Sequence, residues 1–212
     1  MGDLYTSKSF KTKNKDIFII SILALVLIFI FTACRKTPRH RAQWWFDSIN
    51  CSYDITAGEG LSLALIDSGI DISHPDLKNC DINTISLLNE NQKSDKKHGT
   101  AMAGVICAKP NDDSGLIGVV PGIKIYDIKI VDNEKNCNIK FLIEAINIAV
   151  EKGVDIINIS IGTKSNSEEL HAAIIEALNN NIIVVAATSN VGSEEVLYPA
   201  AYSCLLYTSR CV

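Results

Sequence analysis

The sequence predicts an α/β protein built on a parallel β-sheet, and two observations support this prediction. Apolar runs of strand length recur along the chain, at Leu61–Ile66, Ile123–Ile130, Asp155–Ser160 and Ile182–Ala187. Segments with apolar residues at helical spacing lie between them, at His98–Ala108, Ile139–Lys152 and Glu168–Asn180. Strands that are continuously apolar and alternate with helices are typical of a parallel sheet with helices on both faces.

Charge is distributed unevenly along the 212 residues. Residues 1–41 contain eight of the 20 basic residues and two of the 24 acidic ones, a net charge of +6. The other 12 basic and 22 acidic residues give residues 42–212 a net charge of −10. An acidic domain repels phosphate backbones, so we expect no nucleic-acid partner.

The N-terminal end is predicted to attach the chain to a membrane. A basic region, 1–16, precedes 18 uncharged and mainly apolar residues, 17–34, and a basic linker, 35–43, follows. This length is just enough for a transmembrane helix, and the same stretch fits a signal peptide. The ending Phe31-Thr32-Ala33-Cys34 resembles the lipobox of bacterial lipoproteins. An uncleaved anchor and a lipidated Cys34 therefore both remain open.

The seven cysteines form no recognisable metal or disulfide pattern. They include no CxxC pair, so neither a zinc site nor a disulfide scaffold is predicted for positions 34, 51, 80, 107, 137, 204 and 211. Cys107 follows the apolar run Met102–Ile106 and is predicted to be a core residue.

Polar side chains stand at the ends of three predicted strands. Asp67 follows the first strand directly, Ser160 closes the third, and Asn190 comes shortly after the fourth. Active sites of open α/β sheets lie beyond the carboxyl ends of the strands. We therefore expect these three residues to converge on one edge of the sheet.

Two segments carry residue types suited to nucleophilic catalysis. Asp67-Ser68-Gly69-Ile70-Asp71 places a carboxylate at a strand end, and His98-Gly99-Thr100 places an imidazole at a helix start. Acyl transfer by a serine needs a base, a carboxylate that orients the base, and donors to the oxyanion. Taken singly, an Asp after a strand is more often a turn residue or a helix cap, and a His at a helix start is usually just exposed.

In order and separation, these segments resemble the subtilase family of serine proteases, the peptidase S8 family. Further blocks extend the resemblance over about residues 44–203: His74-Pro75-Asp76-Leu77, Gly118-Val119-Val120-Pro121, Asp155 to Gly162, Ala186 to Asn190, and Tyr198-Pro199-Ala200. The resemblance implies a subtilisin-like fold. A dinucleotide-binding domain is excluded, because Asp67-Ser68-Gly69 stands where a glycine-rich phosphate loop is required.

The resemblance also implies roles for individual residues. Asp67 would orient His98 and stabilise its imidazolium, His98 would act as general base and then general acid, and Asn190 would donate its amide to the oxyanion. The segment Ser160-Ile161-Gly162 resembles the family's substrate-binding strand, whose backbone pairs with an extended peptide. The expected partner is therefore a polypeptide substrate.

No cofactor is expected to be required for catalysis, but a structural metal ion is a candidate. Asp76 and Asp112 match positions that hold calcium in some subtilases, and calcium prefers such oxygen ligands.

The C-terminal end departs from the family pattern. The family's serine lies in a later Gly-Thr-Ser block, whereas residues 204–212 do not continue the pattern, and Ser209 is not expected to be the nucleophile.

The sequence thus predicts part of a membrane-attached, extracytoplasmic serine endopeptidase of the bacterial cell surface. Such an enzyme would use an Asp-His-Ser triad. Because the serine region is missing from this chain, the chain itself is expected to be inactive. The alternative is a membrane-tethered pseudoprotease that binds peptides without cutting them.

Overall fold

The computed structural model describes residues 44–109, 115–134, 137–188, 196–205 and 207–209, with backbone alone at 44–45 and 207–209. The predicted membrane segment, 17–34, lies outside this description. None of the helices in the described ranges has the length and apolarity needed to cross a membrane.

Six parallel strands form one sheet in the order β2-β3-β1-β4-β5-β6. Their bounds are Ser62–Asp67 (β1), Ile82–Ser86 (β2), Lys124–Lys129 (β3), Ile156–Ile159 (β4), Ile183–Ala187 (β5) and Tyr207–Ser209 (β6). Four of them correspond to the predicted runs. The strand predicted at Asp155–Ser160 is one residue shorter than expected at each end. Asp155 lies just before it, and its carboxylate accepts a hydrogen bond from the Ser62 backbone N–H (2.8 Å) at the start of β1.

The described part of the chain contains four α-helices: Trp44–Ser48 (α1), Lys97–Cys107 (α2), Ile139–Glu151 (α3) and Glu168–Asn179 (α4). The side chains of Asn138 and Ser167 cap α3 and α4 by accepting the backbone N–H groups of Lys140 (2.9 Å) and Leu170 (3.2 Å). A short 3₁₀ helix, Pro75–Leu77, lies between β1 and β2.

The side chains of β1 alternate between two apolar cores, one on each face of the sheet. Leu63 and Leu65 pack in one core with Ala103 and Cys107 of α2. Residues of β1 that point the other way, such as Ile66, pack in the second core with residues from α3 and α4. The parallel sheet with helices on both faces is therefore confirmed, as is the burial of Cys107.

Part of the segment 204–212 packs on this domain. Leu205 is buried in the core formed with α3 and α4, and Tyr207–Ser209 pairs with Val185–Ala187 of β5. The statement that residues 204–212 do not continue the family pattern stays a prediction. The described residues of this segment extend the sheet.

Candidate active site

The site is built where β1 ends at the carboxyl edge of the sheet. Asp67 is the last residue of β1, and its side chain is almost completely buried. One carboxylate oxygen accepts the backbone N–H of Ser68 at 2.6 Å. This contact fixes the orientation of the Asp67 carboxylate at the end of β1.

Two glycines allow helix α2 to approach this strand end. Gly69 has a φ of +91°, which a residue with a side chain rarely adopts. A Cβ on Gly99 would collide with the backbone oxygen of Gly69. The first turn of α2 can therefore lie directly against the loop after β1 only because both positions are glycine.

Hydrogen bonds hold the start of α2 against the loop. The Gly99 N–H donates to the Ser68 hydroxyl (3.2 Å), and the Asp71 N–H donates to the Thr100 hydroxyl (2.8 Å). The carboxylate of Asp95 accepts the Lys97 N–H at 3.0 Å. These contacts satisfy backbone groups that a helix start leaves without partners, and they place His98 beside Asp67.

Asp67 and His98 form the expected contact. The imidazole Nδ1 lies 2.8 and 3.0 Å from the two carboxylate oxygens. Because an ionised carboxylate only accepts, Nδ1 carries the proton and Nε2 has a free lone pair. The Asp67 side chain is 3% exposed and the His98 side chain 59% exposed. A buried carboxylate thus orients an accessible base.

A cleft of about 590 Å³ lies in front of this pair. Asp67 and His98 line it together with Ser160 and Ile161, which follow the end of β4. The expected convergence is therefore observed for the residues after β1 and β4. Asn190 lies outside the described residues.

The backbone of the candidate substrate strand is largely unused. Outside the strand ladders, the backbone groups of Ser160, Ile161 and Gly162 make no hydrogen bond with any described residue. The next residue, Thr163, exchanges two backbone hydrogen bonds with Tyr198 (2.8 and 2.9 Å). A Cβ on Gly162 would collide with the Leu197 side chain.

Of the two calcium candidates, only Asp76 lies in the described ranges. Its carboxylate accepts the Leu116 N–H at 3.1 Å, so it faces the end of the segment that contains Asp112. No group of three or more His, Cys, Asp or Glu side chains arranged to hold a metal occurs within the described ranges. A calcium ion here would need backbone oxygens as well, which suits its preference for oxygen ligands.

Sequence reasoning missed one residue behind the site, Asp127 in β3. It is fully buried, accepts the Ile70 N–H at 3.0 Å and the Thr84 hydroxyl at 3.1 Å, and thereby supports the loop after β1. Burial raises the pKa of its carboxyl. An acid inside the apolar run Ile123–Ile130 was the signal that could have revealed it.

A parallel sheet with an Asp–His pair beyond its central strand defines a protein of the subtilisin-like α/β class. The family model described as the subtilase family (Peptidase S8) matches residues 58–210, and the chain belongs to this family.

Curated relatives agree with this assignment. The chain is 36% identical to the minor extracellular protease Epr of Bacillus subtilis over 79% of its length, and 37% identical to that organism's major intracellular serine protease over 69%. These matches cover 26% and 49% of the two relatives. The chain therefore spans half or less of the length of these relatives.

Solved structures show the same fold. The prenylagaramide maturation protease PagA superposes with a TM-score of 0.61 at 26% identity, covering 72% of this chain and 54% of PagA. The self-cleaved protease domain of PatA gives 0.60 at 27% identity, with 73% and 58% covered.

Proposed function

We propose that this chain carries the Asp–His part of the active site of a serine endopeptidase. The observation that supports the proposal most directly is the hydrogen bond between the His98 Nδ1 and the buried Asp67 carboxylate, 2.8 Å long. It leaves the accessible Nε2 free to remove a proton from a serine hydroxyl. Family membership supports the same reaction.

In this mechanism, Asp67 keeps His98 in the tautomer with the proton on Nδ1 and stabilises the imidazolium formed after proton transfer. His98 takes the proton from the attacking serine and returns it to the leaving amine. Asn190 donates its side-chain amide to the oxyanion of the tetrahedral intermediate.

The substrate is an extended polypeptide segment. We propose that it pairs with Ser160-Ile161-Gly162, whose backbone groups are available beside the cleft. Backbone pairing of this kind accepts many sequences, because the hydrogen bonds do not involve substrate side chains.

The serine nucleophile is proposed to lie outside these 212 residues, which makes the chain inactive by itself. Two serines, Ser68 and Ser160, line the cleft, but their hydroxyls accept hydrogen bonds from the Gly99 N–H and the Asn158 amide. Among the described residues, no hydroxyl hydrogen bonds to the His98 imidazole.

A fluorophosphonate label, which reacts with activated serines, tests this proposal on the 212-residue chain and on the full-length product of its gene. We expect labelling of the full-length product only, and its loss in the His98→Ala variant. Turnover of a peptide substrate should fall by roughly 10⁶-fold, the cost known for a triad that loses its histidine. Labelling of the 212-residue chain at Ser209 would contradict the missing-serine proposal.

The second candidate function is the peptide-binding pseudoprotease, which the free backbone of residues 160–162 also supports. It predicts that the folded full-length product binds extended peptides but shows no labelling that depends on His98. That result would replace the endopeptidase proposal.

We further propose a membrane-attached protein with its catalytic domain outside the cytoplasm, anchored through residues 17–34. The names of the two Bacillus subtilis relatives place one outside and one inside the cell. Membrane attachment is therefore proposed from the N-terminal sequence, and the extracytoplasmic location mainly from the resemblance to the subtilase family. Asp76 and Asp112 are proposed calcium ligands, and no nucleic-acid partner is proposed.

A further inference from the structure

Two cysteines meet at the end of the helix that carries His98. Cys107 is the last residue of α2 and is completely buried. Cys80 lies in the turn after the 3₁₀ helix, where its N–H donates to the Leu77 carbonyl (3.0 Å). The Cys80 thiol donates to the Cys107 carbonyl, with a sulfur–oxygen distance of 2.9 Å. Both residues belong to the core on the α2 face of the sheet.

The two thiols differ in accessibility. Cys80 is partly exposed, whereas Cys107 is completely buried. A reagent therefore reaches the Cys80 thiol first, and Cys107 can react only with a partner that lies against it.

The other described cysteines have no such partner. The thiols of Cys51 and Cys137 donate to the carbonyls of their own neighbours in sequence, and both residues, like Cys204, are free cysteines. They provide internal controls, because they share the chain but lack the paired geometry.

We propose that Cys80 and Cys107 form a redox-active pair that a small-molecule disulfide, such as glutathione disulfide, converts to an intramolecular disulfide. The Cys80 thiolate attacks one sulfur of the reagent, forms a mixed disulfide and releases one glutathione thiolate. Cys107 then gives up its proton and attacks the Cys80 sulfur, releasing the second. Two protein thiols are oxidised to one disulfide, and one reagent disulfide is reduced to two thiols.

The contact between the two residues favours the second step. A disulfide requires specific sulfur geometry, and the 2.9 Å hydrogen bond already holds the Cys80 sulfur against the backbone of Cys107.

The disulfide would fasten the C-terminal end of α2 to the turn before β2. It would enclose all residues between positions 80 and 107, which include β2 and His98. Closing a loop of this length restricts the unfolded chain and stabilises the folded domain. Redox conditions would thereby set the rigidity of the helix that holds His98, independently of whether the proposed peptidase activity is correct.

Mass spectrometry on the full 212-residue chain in detergent tests the proposal. The chain is equilibrated with mixtures of reduced and oxidised glutathione, free thiols are alkylated, and tryptic peptides are analysed without reduction. Lys96 and Lys97 place the two cysteines in separate peptides. We expect a cross-link between Cys80 and Cys107 that increases with the oxidised fraction. The midpoint of thermal unfolding should rise by on the order of 10 °C on oxidation and fall again with dithiothreitol.

Matched variants complete the experiment. Cys80→Ser should abolish the cross-link, and Cys137→Ser should leave it unchanged. Three results would overturn the proposal: a lasting glutathione adduct on Cys80 with Cys107 still alkylated, alkylation of both thiols under oxidising conditions, or a cross-link of Cys80 to another cysteine. The wild-type measurement needs no variant, so a folding defect in Cys80→Ser does not obscure the outcome.

Discussion

The carboxyl group of Asp127 is buried between β3 and the loop that follows β1. One of its oxygens accepts from Ile70 and Thr84, and the other has no hydrogen-bond partner among the residues that the structure describes. Burial raises the pKa of this carboxyl, nearby Lys96 lowers it, and nearby Asp67 raises it. The group therefore binds its proton more tightly in the folded protein than in the unfolded chain.

This shift predicts how Asp127→Asn changes stability with pH. Because the folded-state pKa lies above the unfolded one, ionising Asp127 destabilises the wild type as pH rises from about 4 through the raised pKa. An asparagine oxygen can keep both hydrogen bonds and never ionises. We expect the variant to gain about 1 kcal/mol in the free energy of unfolding at neutral pH, and no advantage at low pH.

Urea unfolding from about pH 4 to about pH 8 measures this difference. Asp81→Asn, which changes an exposed carboxylate at the edge of the sheet, is the control and should follow the wild type. If the free energies of unfolding of Asp127→Asn and the wild type differ by the same amount at every pH, Asp127 does not titrate in this range.

Sequence reasoning found Asp67 and His98 because short motifs surround each of them, but it missed Asp127. No motif marks that position, and its role depends on the pairing of β1 with β3, which brings residues far apart in sequence together. The contact of Asp67 with His98 could be predicted because the segments around both residues resemble those of the subtilase family. The support that Asp127 gives to the loop after β1 could not be predicted, because it depends on the order of the strands in the sheet.

At the scale of elements, helix α2 depends on close approach to the loop after β1. Gly99→Ala places a methyl group against the Gly69 carbonyl, where neither backbone can move freely. We expect a loss of roughly 1–3 kcal/mol in the free energy of unfolding, together with displacement of His98 from Asp67. Thermal unfolding measures the first effect, and peptidase activity of the full-length product measures the second.

Gly104 provides a matched control in the same helix. A Cβ there meets nothing within 4 Å, so Gly104→Ala should gain about 0.5–1 kcal/mol through helix propensity alone. Equal effects of the two substitutions would contradict the close-packing explanation for Gly99.

The loop joining α2 to β3 is where calcium would act. If Asp76 and Asp112 bind calcium, the ion stabilises the folded state by about 2.7 kcal/mol when its concentration is a hundredfold above Kd. We expect calcium to raise the midpoint of thermal unfolding in the wild type but not in Asp76→Asn.

Asp71→Asn is the control for this measurement, because the Asp71 carboxylate is bound to Ser73 instead. A calcium response that persists in Asp76→Asn, or one absent from the wild type, would refute the site.

The strands that sequence reasoning predicted are those in the middle of the sheet. β1, β4 and β5 are mainly apolar and β3 carries buried isoleucines at alternate positions, because the two cores cover these strands. β2 was missed because it lies at the edge and reads Ile-Asn-Thr-Ile-Ser, with its three polar residues exposed. An edge strand buries too little surface to require an apolar run, so its sequence carries a weak signal.

At the scale of the whole molecule, the membrane prediction concerns residues 17–34. We expect the intact chain to be recovered with membranes, since 18 uncharged and mainly apolar residues are sufficient to anchor it. Fractionation with detergent extraction measures this, and Cys34→Ala distinguishes the two anchors. A lipoprotein loses lipid labelling in the variant, whereas an uncleaved transmembrane helix is unaffected. Recovery of the wild-type chain in the soluble fraction would exclude both.

The position of β1 in the sheet has a consequence for synthesis on the ribosome. β1 is the first strand to emerge, yet it is flanked by β3 and β4, and the hydrogen bond from Ser62 to Asp155 spans 93 residues. Asp67 and His98 are only 31 residues apart, so both emerge before β3 and β4, the two strands that pair with β1. Until β4 emerges, the edge of β1 that pairs with β4 has backbone groups without hydrogen-bond partners, and apolar side chains beside that edge are exposed. The nascent chain therefore passes through a stage that is prone to aggregation, and it would benefit from a chaperone that covers that edge during translation.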